Sequence, residues 1–278
     1  MKLENLTSVN PRRVATGADG EQPGGSAVIP RCVAGLLRRV LLRARNENEK
    51  ETFFCITELE CYCPDDPYTH GVTHDQASGA VATVPAAAGE VVCEQQGPPG
   101  CWYFHRAGRA ANGNYRAGTF KGLDITCAPE GQAGGILIRS LTELGPDWTP
   151  VKRWEGPCVC VNRLLSACGA DSIKELVARD DFAREVATSG PPKCLALVAR
   201  ATFDTSAVLA GPRVGLKAPA PGTDPLREEY QPLRARYVLL PMVGWLKKER
   251  QRMLAALVSD VGTLEAIRLT GLCPKNFE

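Results

Sequence analysis

From Val28 onward, short apolar runs alternate with polar breaks carrying glycine, proline or asparagine. The segment IPRCVAGLLRRVLLRAR has apolar residues at mixed helical spacing and then a β-like VLL run, so a helix feeding a strand is expected. After the polar turn NENEKE comes FFCITELECY. Its aromatic and β-branched content predicts a strand, although Phe54, Ile56, Leu59 and Cys61 do not alternate cleanly. PDDPYTHG is turn chemistry. Residues 75–100 are small and Gly/Ala-rich with one strand candidate, AGEVVCE; CWYFHR is an aromatic strand and AGRAANGNYRAG an exposed loop. TFKGLDITCAP and GGILIRSL read as two strands joined by PEGQAGG. Helices are expected over Pro157–Ala167 and Ile173–Ala178, the second capped by Asp171 or Ser172. CLALVARATFD is a further strand, and PLREEYQPLRARYVLLP contains a last one. GWLKKERQRMLAALVSDVGTLEAIRL is an amphipathic helix, with Gly262 as the place for a break.

This order lacks a steady βαβ rhythm, and neither GxGxxG nor GxxxxGKS is present. The expected fold class is therefore α+β: a single domain over residues 28–245, its curved mixed or antiparallel sheet flanked by helices. A polar, Gly-rich tail (residues 1–27) expected to be disordered precedes it, and a C-terminal helical extension (residues 246–278) follows.

Composition changes this picture little. Hydrophobic residues make up 44% and charged residues 23%, ordinary for a globular chain with a sizeable core. The net charge of +2 speaks mildly against a nucleic-acid binder, except that basic residues cluster at Arg31–Arg45 and at Lys247–Arg252. No signal-peptide h-region and no apolar run of roughly 18–20 residues is present, so no membrane association is expected. The twelve cysteines are then expected to be reduced and mostly buried. The pairs Cys61/Cys63 and Cys158/Cys160 are C-x-C, which suits strand periodicity as well as zinc; His70 and His74 lie near the first.

Chemistry concentrates in ITELECYCPDDPYTH. On a strand, Glu58, Glu60 and Tyr62 share one face, because side chains alternate with period two. A carboxylate beside an aromatic ring, followed by a His-bearing turn, supplies a base and a stacking surface. Breaking an N-glycosidic bond on an extruded nucleobase needs both: the carboxylate deprotonates water and stabilises the developing sugar cation, while rings hold the base. Taken singly, these residues also fit a solvated strand edge, a core tyrosine and a turn histidine.

This segment resembles the glutamate–small–tyrosine element and the following His-bearing turn of the alkyladenine (3-methyladenine) DNA glycosylases. PRCVAGLLRRVLLR, GPPGCWYF, LDITCAPEGQAGGILIRSL, GPCVCVNRLL, and VLAGPRVGLK with PLRARYVL resemble further family elements in the same order, from about Val28 to Trp245. The resemblance implies a monofunctional glycosylase of the same fold that removes an alkylated or deaminated purine in base excision repair. Glu60 would activate water, and Arg139 would sit near the water and a phosphate or form a structural ion pair with a glutamate. Tyr62 and His70 would hold the flipped base, and Phe104, or Tyr103, would close the other side. Asp124, carried over as base-binding, stands where the family has an asparagine that helps exclude normal guanine; its negative charge would disfavour phosphate approach and change base selection. The family's wedge tyrosine corresponds to Ala107-Gly108 followed by an insertion, which leaves Tyr115 as the intercalating candidate. The Tyr-to-His turn is one residue shorter than the family's, and a Thr-x-Arg-Asn stretch is replaced by THDQASGAVAT. The resemblance further implies DNA, duplex or single strand, as partner, a monomer without metal or cofactor, and a nuclear or cytoplasmic location. The competing expectation is a non-catalytic protein that keeps the fold and binds a nucleotide or nucleic acid.

Overall fold

The computed structural model describes residues 31–70, 72–74, 81–83, 97–107, 114–129, 131–187, 191–202 and 204–277. The N-terminal tail, the AGEVVCE strand candidate and the centre of the insertion after β5 lie outside them. Helix α1 (Arg31–Arg38) feeds β1 (Val40–Arg45), and β2 (Glu51–Tyr62) follows the expected turn. After the short hairpin of β3 (Val72–His74) and β4 (Val81–Thr83) come β5 (Trp102–Phe104), β6 (Leu123–Thr126), β7 (Gly135–Leu144) and β8 (Pro150–Glu155). Then follow α2 (Pro157–Cys168), α3 (Ile173–Val177), β9 (Leu195–Ala199), β10 (Val208–Gly211), α4 (Pro225–Tyr230) and β11 (Arg236–Leu239). The chain ends with α5 (Arg250–Val261) and α6 (Thr263–Thr270).

Most elements follow the hydrophobic pattern. Ser172 rather than Asp171 caps α3, its Oγ accepting the Glu175 N–H at 3.1 Å. The C-terminal helix breaks at Gly262, whose φ of 79° favours a residue without Cβ. The pattern missed β8, an exposed edge strand whose PVKRWE has no apolar alternation, and α4, a short Asp-capped turn of helix. Cys158 and Cys160 lie in α2, so their spacing is helical, not the β periodicity it also suited.

The sheet is curled and antiparallel at every pairing, in the order β10-β11-β2-β7-β6-β5. The two long strands change partners along their length. The first half of β2 pairs with β1 and the second with β11; β7 pairs with β6 and then with β8. Such exchange bends the sheet. Register slips around Glu58 mark a bulge in β2, which shifts the phase of the buried apolar positions from Phe54 and Ile56 to Leu59 and Cys61. That bulge explains the unclean alternation in the sequence.

Helices α1, α2 and α3 cover one face through Leu36, Leu37, Val161, Leu164, Ile173 and Leu176. Helices α5 and α6 cover part of the other, over Leu209 and Val238, through Met253, Leu254, Leu257 and Ala266. Segment 246–278 is therefore packed on the sheet. Among the described residues no helix is long and apolar enough to cross a membrane.

Candidate active site

One row of directly paired residues runs across the sheet face opposite α1–α3. Tyr103 pairs with Asp124, Asp124 with Leu137, Leu137 with Glu60, Glu60 with Arg236, and Arg236 with Gly211. Paired residues on neighbouring antiparallel strands point the same way, so the row gathers five strands' side chains on one surface. The same face carries both glutamates of the motif, Glu60 in the row and Glu58 beside it in register with Ser140 and Val238, and neither lies on a solvated edge: Glu58 is 1% and Glu60 0% exposed.

Two carboxylates buried together need compensating cations. Arg139 on β7 bridges them, its Nε donating to Glu58 Oε1 at 3.1 Å and its Nη1 to Glu60 Oε2 at 3.2 Å. Arg236 on β11 donates its Nε to the same Glu58 oxygen at 2.8 Å, and Ser140 Oγ donates to Glu58 Oε2 at 2.5 Å. Among the described residues Glu60 receives one guanidinium. Its other partners are the Tyr62 hydroxyl, at 3.1 Å, and the Val214 N–H, at 2.6 Å.

This asymmetry sets their charge states apart. Burial pushes both carboxyls up. For Glu58, Arg236 and Arg139 overcome that and hold it below the ordinary carboxylate range. For Glu60, burial outweighs Arg139 and the Val214 N–H, and the nearby Glu58 charge adds to the rise. Glu60 is thus the carboxyl that takes up a proton more readily. Burial likewise keeps Tyr62 a phenol. The Arg213 guanidinium covers its ring at 4.7 Å and is itself anchored on Asp66 and the Cys61 and Tyr230 carbonyls.

At the β5 end of the row the turn after β2 delivers His70. Its ring lies 4.5 Å from that of His105 and 6.2 Å from that of Tyr103. Burial, with the neighbouring His105, pushes the pKa of His70 down to about 4, so it is a neutral imidazole at physiological pH. Asp124 Oδ1 lies 2.8 Å from His105 Nε2 and fixes that ring. The nearest ring contact, 4.5 Å, leaves no space for a third ring between His70 and His105. Together the three make one aromatic wall.

Four sequence expectations are corrected or narrowed here. Phe104 points into the hydrophobic core with Trp102, because successive strand residues face opposite ways; Tyr103 is the ring beside His70. Arg139, 7% exposed, is occupied by two carboxylates, so of its two readings the ion pair with a glutamate describes its contacts. Asp124 is buried against His105 and presents no open charge where a base-selecting asparagine was expected. Tyr115 packs edge-on against Phe104 at 6.4 Å, with the Arg106 guanidinium 4.0 Å above its ring, so it is no protruding wedge. Glu60, Tyr62, Arg139 and Asp124 do share the row's face. Sequence reasoning missed Arg236, Val214 and His105. The first two come from distant strands and loops, but His105 follows Tyr103 by two and was legible from alternation.

The described cysteines are free thiols, Cys61 and Cys63 buried in packing. Among the described residues no group of three His, Cys, Asp or Glu side chains is arranged to hold a metal ion. Neither a protein-family model nor a curated protein matches the chain.

Proposed function

We propose that this chain is a monofunctional nucleic-acid base glycosylase with an alkyladenine DNA glycosylase-like fold. It hydrolyses the N-glycosidic bond of a damaged purine extruded from DNA, as a monomer working in the nucleus or cytoplasm. The observation that carries the reading is Glu60: a fully buried carboxyl of raised proton affinity on the same sheet row as an aromatic wall. A carboxylate offers about four lone-pair sites, and three of those on Glu60 are taken by Tyr62, Arg139 and Val214. The fourth accepts a proton from water. The water oxygen bonds to the anomeric carbon as the bond to the base nitrogen breaks, and the base departs with the bonding pair. Glu58, held ionised by Arg236 and Arg139, stays charged as Glu60 gains its proton and offsets one of the two guanidiniums that the neutral Glu60 no longer balances. Neutral His70 suits a stacking and hydrogen-bonding role toward an uncharged ring.

A second reading has its own support. Glu60 is 0% exposed with three partners, as a purely structural carboxylate would be, in a non-catalytic nucleotide- or nucleic-acid-binding protein. Scoring abasic sites in oligonucleotides containing hypoxanthine, ethenoadenine or 3-methyladenine separates the two. The enzyme reading expects excision by the wild type and a loss of about a hundredfold or more in Glu60→Gln, the range for removing a general base. No excision by the wild type on any of these bases favours the binding protein.

A further inference from the structure

The end of β5 leads from the aromatic wall into a cavity of about 520 Å³ that the proposed chemistry does not use. Among the described lining residues four are cations, Arg106, Arg116, Lys121 and Lys174, against one carboxylate, Asp171. They are not a chance surface scatter. Arg106 stacks on the Tyr115 ring at 4.0 Å and donates to its hydroxyl at 2.8 Å. Arg116 Nε donates to the Arg106 carbonyl at 3.1 Å, while its backbone N–H donates to the carbonyl of His105 at 2.8 Å. Lys121 donates to Asn162 Oδ1 at 2.8 Å. Two guanidiniums and one ammonium are thus held, with the exposed Lys174 beside them, around one concavity whose excess of positive charge calls for a polyanion.

Between two lining residues, Ala117 and Lys121, lies a single 3₁₀ turn, Gly118–Phe120. Phe120 on this turn is 71% exposed, a large apolar ring left in water beside a cationic cavity. The turn is tied to the aromatic wall. A Cβ on Gly122 would come within 2.5 Å of the His105 ring, so only glycine lets the backbone lie against it.

We infer that the cavity and Phe120 form one binding site for an unpaired stretch of nucleic-acid strand: the four cations take backbone phosphates, and Phe120 stacks on a base. A basic groove beside an exposed aromatic ring is the general physical means of holding single strands, since every base has a π-face and every nucleotide a charge. This inference rests on the glycosylase reading only for its purpose. Arg116, bonded to His105, joins the strand site to the wall, so a gripped strand passes the place where its extruded base would dock.

The test is binding of a fluorescein-labelled oligothymidylate to the full chain, followed by anisotropy across a salt series. Removing two phosphate contacts with the double variant Lys121→Gln/Lys174→Gln lowers the slope of log affinity against log salt by about 1.4, at about 0.7 per contact on single strands. Phe120→Ala weakens binding by about tenfold, within the range for one base stack, and Phe120→Trp restores it. A control pair, Lys247→Gln/Lys248→Gln, leaves the slope unchanged. An unchanged slope in the cavity double variant, or Phe120→Ala binding like the wild type, overturns the site. So does oligonucleotide binding that inorganic phosphate displaces while Phe120→Ala has no effect, which would mark a free-phosphate pocket. Excision tested beside binding keeps the two proposals apart. Binding with these dependences but no excision by wild type removes the enzyme and leaves the strand site; excision without them does the reverse.

Discussion

At the scale of single residues, the decisive fact is that Glu58 and Glu60, two positions apart, hold different numbers of cations. Among the described residues Glu58 pairs with Arg139 and Arg236, with Arg153 at 4.0 Å, whereas Glu60 pairs with Arg139. Removing the Glu58 charge strands the fully buried Arg236 guanidinium. Glu58→Gln is expected to cost about 3–5 kcal/mol in urea unfolding, the usual penalty for halving a buried ion pair; a cost below about 1 kcal/mol would refute the cluster. Because the carboxyl of Glu58 is depressed by folding, its contribution is present above the unfolded value of about 4.3 and lost as pH falls through its lower folded value. His70 acts over a higher window. Its pKa of about 4 lies below the unfolded value of about 6.5, so its contribution is full above about 6.5 and is lost as pH falls toward 4. Replacing it, His70→Phe, should flatten the stability profile between those limits; a profile parallel to the wild type would contradict the buried neutral imidazole.

Among elements, the aromatic wall depends on how closely the Gly118–Phe120 turn approaches β5. Gly122→Ala drives a methyl into the His105 ring, with ideal contacts of 2.5 Å to Nδ1 and Cε1. The ring must leave Asp124, and a stability loss of about 1–3 kcal/mol is expected, with a shifted His105 imidazole signal by NMR. An unchanged signal would show that the turn sits elsewhere. The strands on either side of this contact were legible because CWYF and LDIT are short, apolar and bounded by turns. Strand β8 was not. Its exposed Val151 and Lys152 and half-buried Arg153 suit an edge strand without an apolar face, so no hydrophobic period records it.

For the whole molecule, the C-terminal segment matters more than its place in the chain suggests. Helices α5 and α6 cover Leu209, Val238, Leu240 and Val243, and the Lys248 carbonyl accepts from the Arg236 guanidinium at 3.2 Å. Deleting residues 246–278 would expose that apolar surface beside the ion cluster. The shortened chain should bind a hydrophobic dye and lose its cooperative thermal transition; a transition matching the full chain would show the segment to be dispensable. The sequence by itself determined most helix and strand positions, though not β8 or α4, together with the shared face of Glu58, Glu60 and Tyr62 and the chemistry those groups could support. These follow from local periodicity and turn residues, which act over a few positions. Only tertiary structure decided that Arg236 and the Val214 N–H meet the glutamates, that Tyr103 and not Phe104 stands beside His70, and that Tyr115 is packed down under Arg106. Those outcomes depend on which strands pair and where the sheet bends, and contacts between residues more than a hundred and fifty positions apart leave no period in the chain.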